Sequence, residues 1–180
     1  SCFKAVTTLG ATSTREVVHL DSFIRRCRYP ELFDYVAALK ERFQNWKVLL
    51  FENDFAQWEF AAPYYQKWCQ DRKAVLPIVR HAASQLKTKD RSADKDSRII
   101  TLVHPHVTGQ YVYDERLKGS QDLQRHLQQL YGHGKSKGKL DGPDSAATAY
   151  IMIFRWIDTG SFKPTAERAW PRVRGLFRKG

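Results

Sequence analysis

Apolar and polar residues change their spacing several times along this chain of 180 residues, and each change marks a new element. Val48-Leu49-Leu50-Phe51 runs without alternation into Glu52. Such a run predicts a short strand covered on both faces within an α/β sheet. A carboxylate at the carboxyl end of that strand stands where open α/β sheets place their ligands, or serves only to lead the strand into a polar loop. Ahead of it, Cys2 to Leu9 and Glu16 to Ile24 are β-prone, and the turn residues Gly10 to Thr14 between them predict a hairpin. Pro30 then opens a helix in which Leu32, Val36, Leu39 and Phe43 recur at helical spacing. Its acids come early (Glu31, Asp34) and its bases late (Lys40, Arg42), as the helix dipole prefers.

Downstream, Phe55 to Arg72 is aromatic-rich and helical, with Pro63 beginning or kinking the helix. Val75 to Val79 is a short strand that its proline, Pro77, sets near a sheet edge. Lys87, Lys89, Arg91, Lys95 and Arg98 are then interleaved with Ser, Thr and Asp, a basic loop leading into a helix of Ile99, Ile100, Leu102 and Val103. Gln110 to Tyr113 is a strand. Ser120 caps a helix through Tyr131, with Leu123, Leu127 and Leu130 on one face. Lys135, Lys137 and Lys139 lie among glycines in a second basic loop. The helix after it opens at Asp144, runs through small residues (Ser145, Ala146, Ala147) and carries Ile151, Ile153, Phe154 and Ile157. From Ser161 the bases Lys163, Arg168, Arg172, Arg174, Arg178 and Lys179 face one acid, Glu167, which predicts a basic tail ordered only on a partner. Residues 1–160 are thus expected to form one α/β domain and 161–180 its tail.

Charge narrows the partner. A formal net charge of +11 and a pI near 9.7 point to a polyanion, without separating nucleic acid from an acidic protein or a membrane surface. No apolar run approaches the roughly 20 residues of a membrane-spanning helix. The first ten residues lack the basic-then-apolar pattern of a signal peptide. Cys2, Cys27 and Cys69 are odd in number and lack metal-ligand spacing, which suits a reducing compartment. No phosphate loop ending in Gly-Lys-Ser/Thr is present, so ATP hydrolysis is not expected. His104-Pro105-His106 has the look of a metal pair but lacks a third ligand nearby in sequence. His133 suits solvent or DNA better than catalysis.

The chemistry suggested by two acids on a strand end and a helix start, Glu52 and Asp144, is metal-dependent phosphodiester cleavage. Carboxylates from different elements can hold two divalent ions that activate water and stabilise the leaving oxygen. Oxygen ligands suit Mg²⁺ or Mn²⁺. Lys87, Lys89, Lys95, Arg98, Lys135, Lys137 and Lys139 on the adjacent segments would neutralise the backbone of double-stranded DNA without reading its sequence. Asp141 is near enough in sequence to assist Asp144. Crowded carboxylates repel, so Glu52→Gln or Asp144→Asn is expected to leave the metal-free protein as stable or slightly more so.

Several segments, in this order, resemble the nuclease domain of phage large terminase subunits, a ribonuclease-H-like fold. They are Val17-Val18-His19-Leu20-Asp21-Ser22-Phe23-Ile24-Arg25-Arg26, Pro30-Glu31-Leu32, Leu50-Phe51-Glu52-Asn53-Asp54-Phe55-Ala56-Gln57, Lys95-Asp96-Ser97-Arg98-Ile99 and Gly142-Pro143-Asp144-Ser145-Ala146. The resemblance implies a mixed sheet flanked by helices and an endonuclease that cuts concatemeric viral DNA during genome packaging. It makes Glu52 the family's second metal-binding acid and Asp144 its last. By the same resemblance the partners are DNA, the terminase ATPase domain, the small terminase subunit and the portal, in the bacterial host cytoplasm and transiently at the procapsid. The family's first strand and first acid would lie ahead of the hairpin, and no counterpart precedes Cys2. Asp21 would have to stand in, and the chain alone is expected to be weak or inactive. A resolvase or transposase of the same fold, and a non-catalytic DNA-binding module, are the alternatives.

Overall fold

The hairpin expected from the first two apolar runs is present in the computed structural model. β1 (Phe3–Ala11) and β2 (Val17–Arg26) are neighbouring strands. In the turn between them Thr12 N donates to Glu16 O at 2.9 Å, Glu16 N donates to Thr12 Oγ1 at 3.1 Å, and Arg15 takes a φ of 64°. A connection this short requires antiparallel pairing. There follow α1 (Tyr29–Arg42), β3 (Leu49–Glu52), α2 (Gln57–Arg72), β4 (Ile78–His81), α3 (Lys95–Ile100), α4 (Val103–Thr108), β5 (Tyr111–Asp114), α5 (Gln121–Tyr131), α6 (Asp141–Asp158) and the two-residue β6 (Arg172–Val173). The structure describes residues 3–44, 46, 48–52, 57–81, 95–132, 140–160 and 172–173. They divide into two units, Ser1–Lys4 with Arg26–Ala93 and Ala5–Arg25 with Asp94–Gly180, each considered by itself.

The unit of residues 26–93 is held by aromatic packing. In α1, Leu32, Val36 and Leu39 of the predicted stripe are buried together with Phe33, whereas Phe43 falls at the C-cap and is only part-buried. Against it, α2 presents Tyr65 and Trp68. The Phe33 ring lies 5.2 Å from Tyr65 and 6.1 Å from Trp68, and Trp68 Nε1 donates to Asp34 Oδ1 at 2.8 Å. Tyr65 also ties down the chain entering β4: its hydroxyl donates to Leu76 O at 3.1 Å and accepts from Leu76 N at 2.9 Å. Pro63 lies inside α2 rather than at its start. β3 and β4 pair in parallel, Leu49 opposite Ile78 and Glu52 opposite His81, with Leu49 N bonded to Pro77 O. Two expectations are corrected here. All four residues of β3 are only part-buried, and β3 and β4 make a two-stranded sheet of their own instead of joining the hairpin sheet. An apolar run of four cannot by itself say how many strands flank it.

The larger unit is α/β, a mixed sheet β1-β2-β5 flanked by helices and extended by β6. β2 and β5 are parallel, with Val17 opposite Tyr111 and His19 opposite Tyr113; β6 runs antiparallel to β5. Residues Val17 to Ile24 of β2 are all buried. The strand covered on both faces is therefore β2, although its sequence mixes apolar and polar residues. Its polar side chains find partners inside. His19, fully buried, bonds to the Tyr111 hydroxyl at 2.7 Å and to Ser22 Oγ at 2.6 Å. The remaining core is Ile99 and Leu102 around the α3–α4 junction, Leu117, Leu123 and Leu130 about α5, and Ala146 and Ala147 of α6. Ser120 caps α5 as predicted, its Oγ accepting from Leu123 N. The basic stretch turns helical at Lys95, earlier than expected, and α6 starts at Asp141 rather than at Asp144. Arg172 and Val173, expected in an unstructured tail, form β6; the rest of the tail lies outside the described residues.

Beside His19 lie two further imidazoles. The His126 ring is 4.8 Å from that of His19, and His106 bonds to the Tyr113 hydroxyl at 3.2 Å. Burial holds His19 well below the ordinary imidazole range, His126 at about 3 and His106 at about 4, with neighbouring imidazoles adding to the depression of His19 and His126. Unfolded, each takes its proton near pH 6.5; folded, each resists it to far lower pH. Between these limits the unfolded chain binds more protons, so stability present above about pH 6.5 is lost as pH falls. Urea melts from pH 7.5 down to 4 should show that loss. His126→Gln should make it shallower by up to about 1.4 kcal/mol per pH unit. An unchanged slope would show that His126 takes up its proton equally in the folded and unfolded states.

Candidate functional site

The first turn of α6 brings the best-defined candidate acid inside the protein. The turn starts without a side-chain cap at Leu140, so its backbone donors need other partners. Gly142 N finds one in Gln129 Oε1 of α5 at 3.0 Å, and Pro143 has no N–H to satisfy. Gly142 allows a close approach here that a larger residue would crowd. A Cβ at that position would stand 2.4 Å from Ile24 Cδ1, 3.1 Å from Gln129 Oε1 and 3.4 Å from His126 Nδ1. Thus Gly142-Pro143-Asp144 is wedged between β2 and α5, and Asp144 is driven into the interior with 2% of its side chain exposed.

Its partner is Arg98 of α3, itself 7% exposed. Arg98 Nε donates to Asp144 Oδ1 at 2.7 Å and a terminal Arg98 nitrogen donates to Oδ2 at 2.8 Å. A planar fork matched to a carboxylate in this way offsets the heavy desolvation of both charges. Arg98 was expected on a loop facing DNA. It is instead buried, because a carboxylate taken from water at this depth needs a cation beside it. The expected relief of repulsion in Asp144→Asn changes sign for the same reason, since that substitution removes an attraction.

Glu52 lies in the other unit, at the carboxyl end of β3 and opposite His81 in the parallel register. It is part-buried, and the Phe51 ring beside it in sequence rests 5.2 Å from Trp58 of α2. Asp141 occupies the first helical position of α6, three residues before Asp144. Asp21 is buried in β2, its Oδ1 accepting from Ser22 N at 2.7 Å. Lys95 opens α3. Lys87, Lys89, Lys135, Lys137 and Lys139 lie outside the described residues, as does His133. Among the described residues no group of three or more His, Cys, Asp or Glu side chains is assembled for a metal ion. Nor is any described helix long and apolar enough to cross a membrane.

Two groupings were not read from the sequence. One is the His19, His106, His126, Tyr111 and Tyr113 layer, whose members are scattered and carry no local motif. The other joins Arg25, Asp122 and Arg125. Asp122 sits in the first turn of α5 and is almost buried, and both arginines pair with it. An acid in a first turn was the available signal, but it says nothing of a partner a hundred residues away. Protein-family models, curated proteins and solved structures were each compared with the chain, and none matched.

Asp144→Asn should destabilise the protein by about 3–5 kcal/mol, because it removes the charge that faces a buried guanidinium. Arg98→Met should cost a similar amount, and the double change Arg98→Met with Asp144→Leu should recover most of it. Urea melts of Arg98→Met, Asp144→Leu and the double change close the cycle; additive losses would deny the coupling. Gly142→Ala should cost about 1–3 kcal/mol by overpacking against Ile24. An unchanged melt would mean that Ile24 yields without strain.

Proposed function

We propose that this chain is the ribonuclease-H-like nuclease part of a DNA-packaging machine of the phage terminase kind, a Mg²⁺- or Mn²⁺-dependent endonuclease acting on double-stranded viral DNA. Glu52 and Asp144 are its metal-binding acids, and the lysine-rich segments 87–95 and 135–139 follow the DNA backbone. The observation that carries most weight is Asp144 itself. A carboxylate held at the start of a small-residue helix, with both oxygens fixed by one guanidinium, is a preorganised hard-oxygen donor. Glu52 adds a second hard-oxygen donor at a parallel strand end, where α/β proteins keep their ligands.

The donor chemistry of the two acids fits Mg²⁺ or Mn²⁺. When bound, such ions supply an activated water and charge stabilisation at the leaving oxygen. The chain's own part is to hold the carboxylates, which Arg98 does for Asp144 by hydrogen-bonding both of its oxygens. Because Arg98 holds both oxygens of Asp144, one of these bonds would have to open for Asp144 to hold a cation, and that cost would lower metal affinity. The same pair favours a second reading, a DNA-binding module without chemistry. An acid already neutralised by an internal arginine needs no metal to be stable.

Thermal melts with millimolar Mn²⁺ or with EDTA separate the two. A ligand at a hundred times its Kd stabilises the folded state by about 2.7 kcal/mol, so the nuclease reading expects a clear rise in Tm. Glu52→Gln should abolish that rise, and any Mn²⁺-dependent nicking of plasmid DNA should go with it. An undiminished Mn²⁺ response in this variant would remove Glu52 from the site. A wild type that binds duplex DNA but ignores Mn²⁺ would establish the binding module instead.

A further inference from the structure

At the end of β2, Arg25 and Arg125 share one carboxylate beside an open polar cavity of about 390 Å³ lined by Arg25, Ser120, Gln121, Asp122 and Arg125. Asp122 is 8% exposed and accepts from Arg25 through Oδ2 and from Arg125 through Oδ1. Each guanidinium has a second anchor. That of Arg25 lies over the Phe23 ring, 4.4 Å from its centre, on the same face of β2. Arg125 donates to Ile24 O at 3.0 Å. Both arginines nevertheless remain about half exposed, at 52% and 46%. A guanidinium carries five N–H groups. The bonds described use one of them on Arg25, and on Arg125 only those of a single terminal nitrogen.

One arginine would satisfy Asp122. Two, fixed in orientation and still open to solvent, leave a net positive charge and N–H groups facing one cavity. Forked, preorganised donors of this kind match a phosphate better than a flexible lysine does. The rim adds the Ser120 hydroxyl, which accepts from Leu123 N and keeps its own hydrogen to donate. We infer that this cavity is a phosphate site that holds one backbone phosphodiester of duplex DNA, clamped by Arg25 and Arg125. The inference rests on the proposed reading of the chain as a DNA-binding protein, but it needs neither the metal nor the acids Glu52 and Asp144. None of its residues belongs to the lysine-rich segments that charge alone picks out.

The test is duplex DNA binding by fluorescence anisotropy in EDTA across a salt series, with thermal melts beside it. Gln121→Glu is the decisive variant, because it adds a negative charge to the cavity rim while leaving every described bond of the two arginines intact. An acid in the first turn of α5 suits the helix dipole, so its Tm should hold or rise while its affinity for DNA falls. The double change Arg25→Gln with Arg125→Gln should reduce the slope of log K against log salt by about 0.9, the share of one phosphate contact, and each single change by less. Inorganic phosphate at matched ionic strength should compete no better than sulfate, if a backbone phosphate rather than the free ion is the ligand. Wild-type affinity and slope in a folded Gln121→Glu protein would overturn the site while leaving DNA binding elsewhere on the chain intact. A wild type that does not bind DNA would overturn the proposed function and this site together.

Discussion

The buried pair of Arg98 and Asp144 constrains the larger unit more than any other contact described. It joins α3 to the first turn of α6, and it forms only if Gly142 can pass within reach of Ile24 and Gln129. Neither charge would remain inside alone, since an isolated carboxylate or guanidinium at this depth costs several kcal/mol. Replacing the pair with apolar side chains would serve packing equally well. What the pair adds is specificity: only one register of α6 against α3 brings both oxygens onto the guanidinium fork. The first turn of α6 is thereby fixed to within a hydrogen-bond length.

The smaller unit reaches a fixed geometry without buried charge. Phe33, Tyr65 and Trp68 stack between α1 and α2, and the Tyr65 hydroxyl pins the strand entry at Leu76 through both a donated and an accepted bond. β3 inherits its position from that cluster through Phe51 and Trp58. Glu52 therefore stands on a short, part-buried strand supported mainly by aromatic contacts. Asp144 stands on a turn held by charge and close packing. The two candidate acids depend on different physical supports, and loss of one support need not disturb the other.

Where periodicity alone decides, the sequence was legible. The hairpin, the α1 stripe of Leu32, Val36 and Leu39, the Ser120 cap and the small-residue face of α6 all follow from local spacing or local hydrogen bonding. Long-range partners were not legible. β2 hides His19, Asp21 and Ser22 in a strand buried on both faces, and alternation cannot reveal that each polar group has a partner there. Arg98 looked like one more base in a charged stretch, because only the fold brings it to a carboxylate 46 residues away. The apolar run at β3 misled in the opposite direction. Its lack of alternation reflects contact with aromatic side chains on a two-stranded ladder rather than enclosure by a wide sheet. Position in sequence marked Glu52 and Asp144 as candidates, but not what surrounds them.

Arginine and lysine take different parts in this charge-rich chain. Among the described residues arginine repeatedly meets an acid: Arg15 with Asp158, Arg28 with Glu31, Arg72 with Asp34, Arg98 with Asp144 and Arg116 with Asp114. A fork that is weakly hydrated and always charged suits such pairing better than a compact, strongly hydrated ammonium, although Lys67 also pairs with Asp71 at 3.2 Å. The excess of +11 therefore overstates the charge an approaching polyanion would meet at the arginines, many of which are already committed within the fold. Arg25 and Arg125 differ from the rest because they crowd onto a single carboxylate, so one positive charge is left over where both guanidiniums face solvent. A local surplus of this kind, fixed in direction by Phe23 and the Ile24 carbonyl, gives a polyanion something to dock against that net charge alone does not.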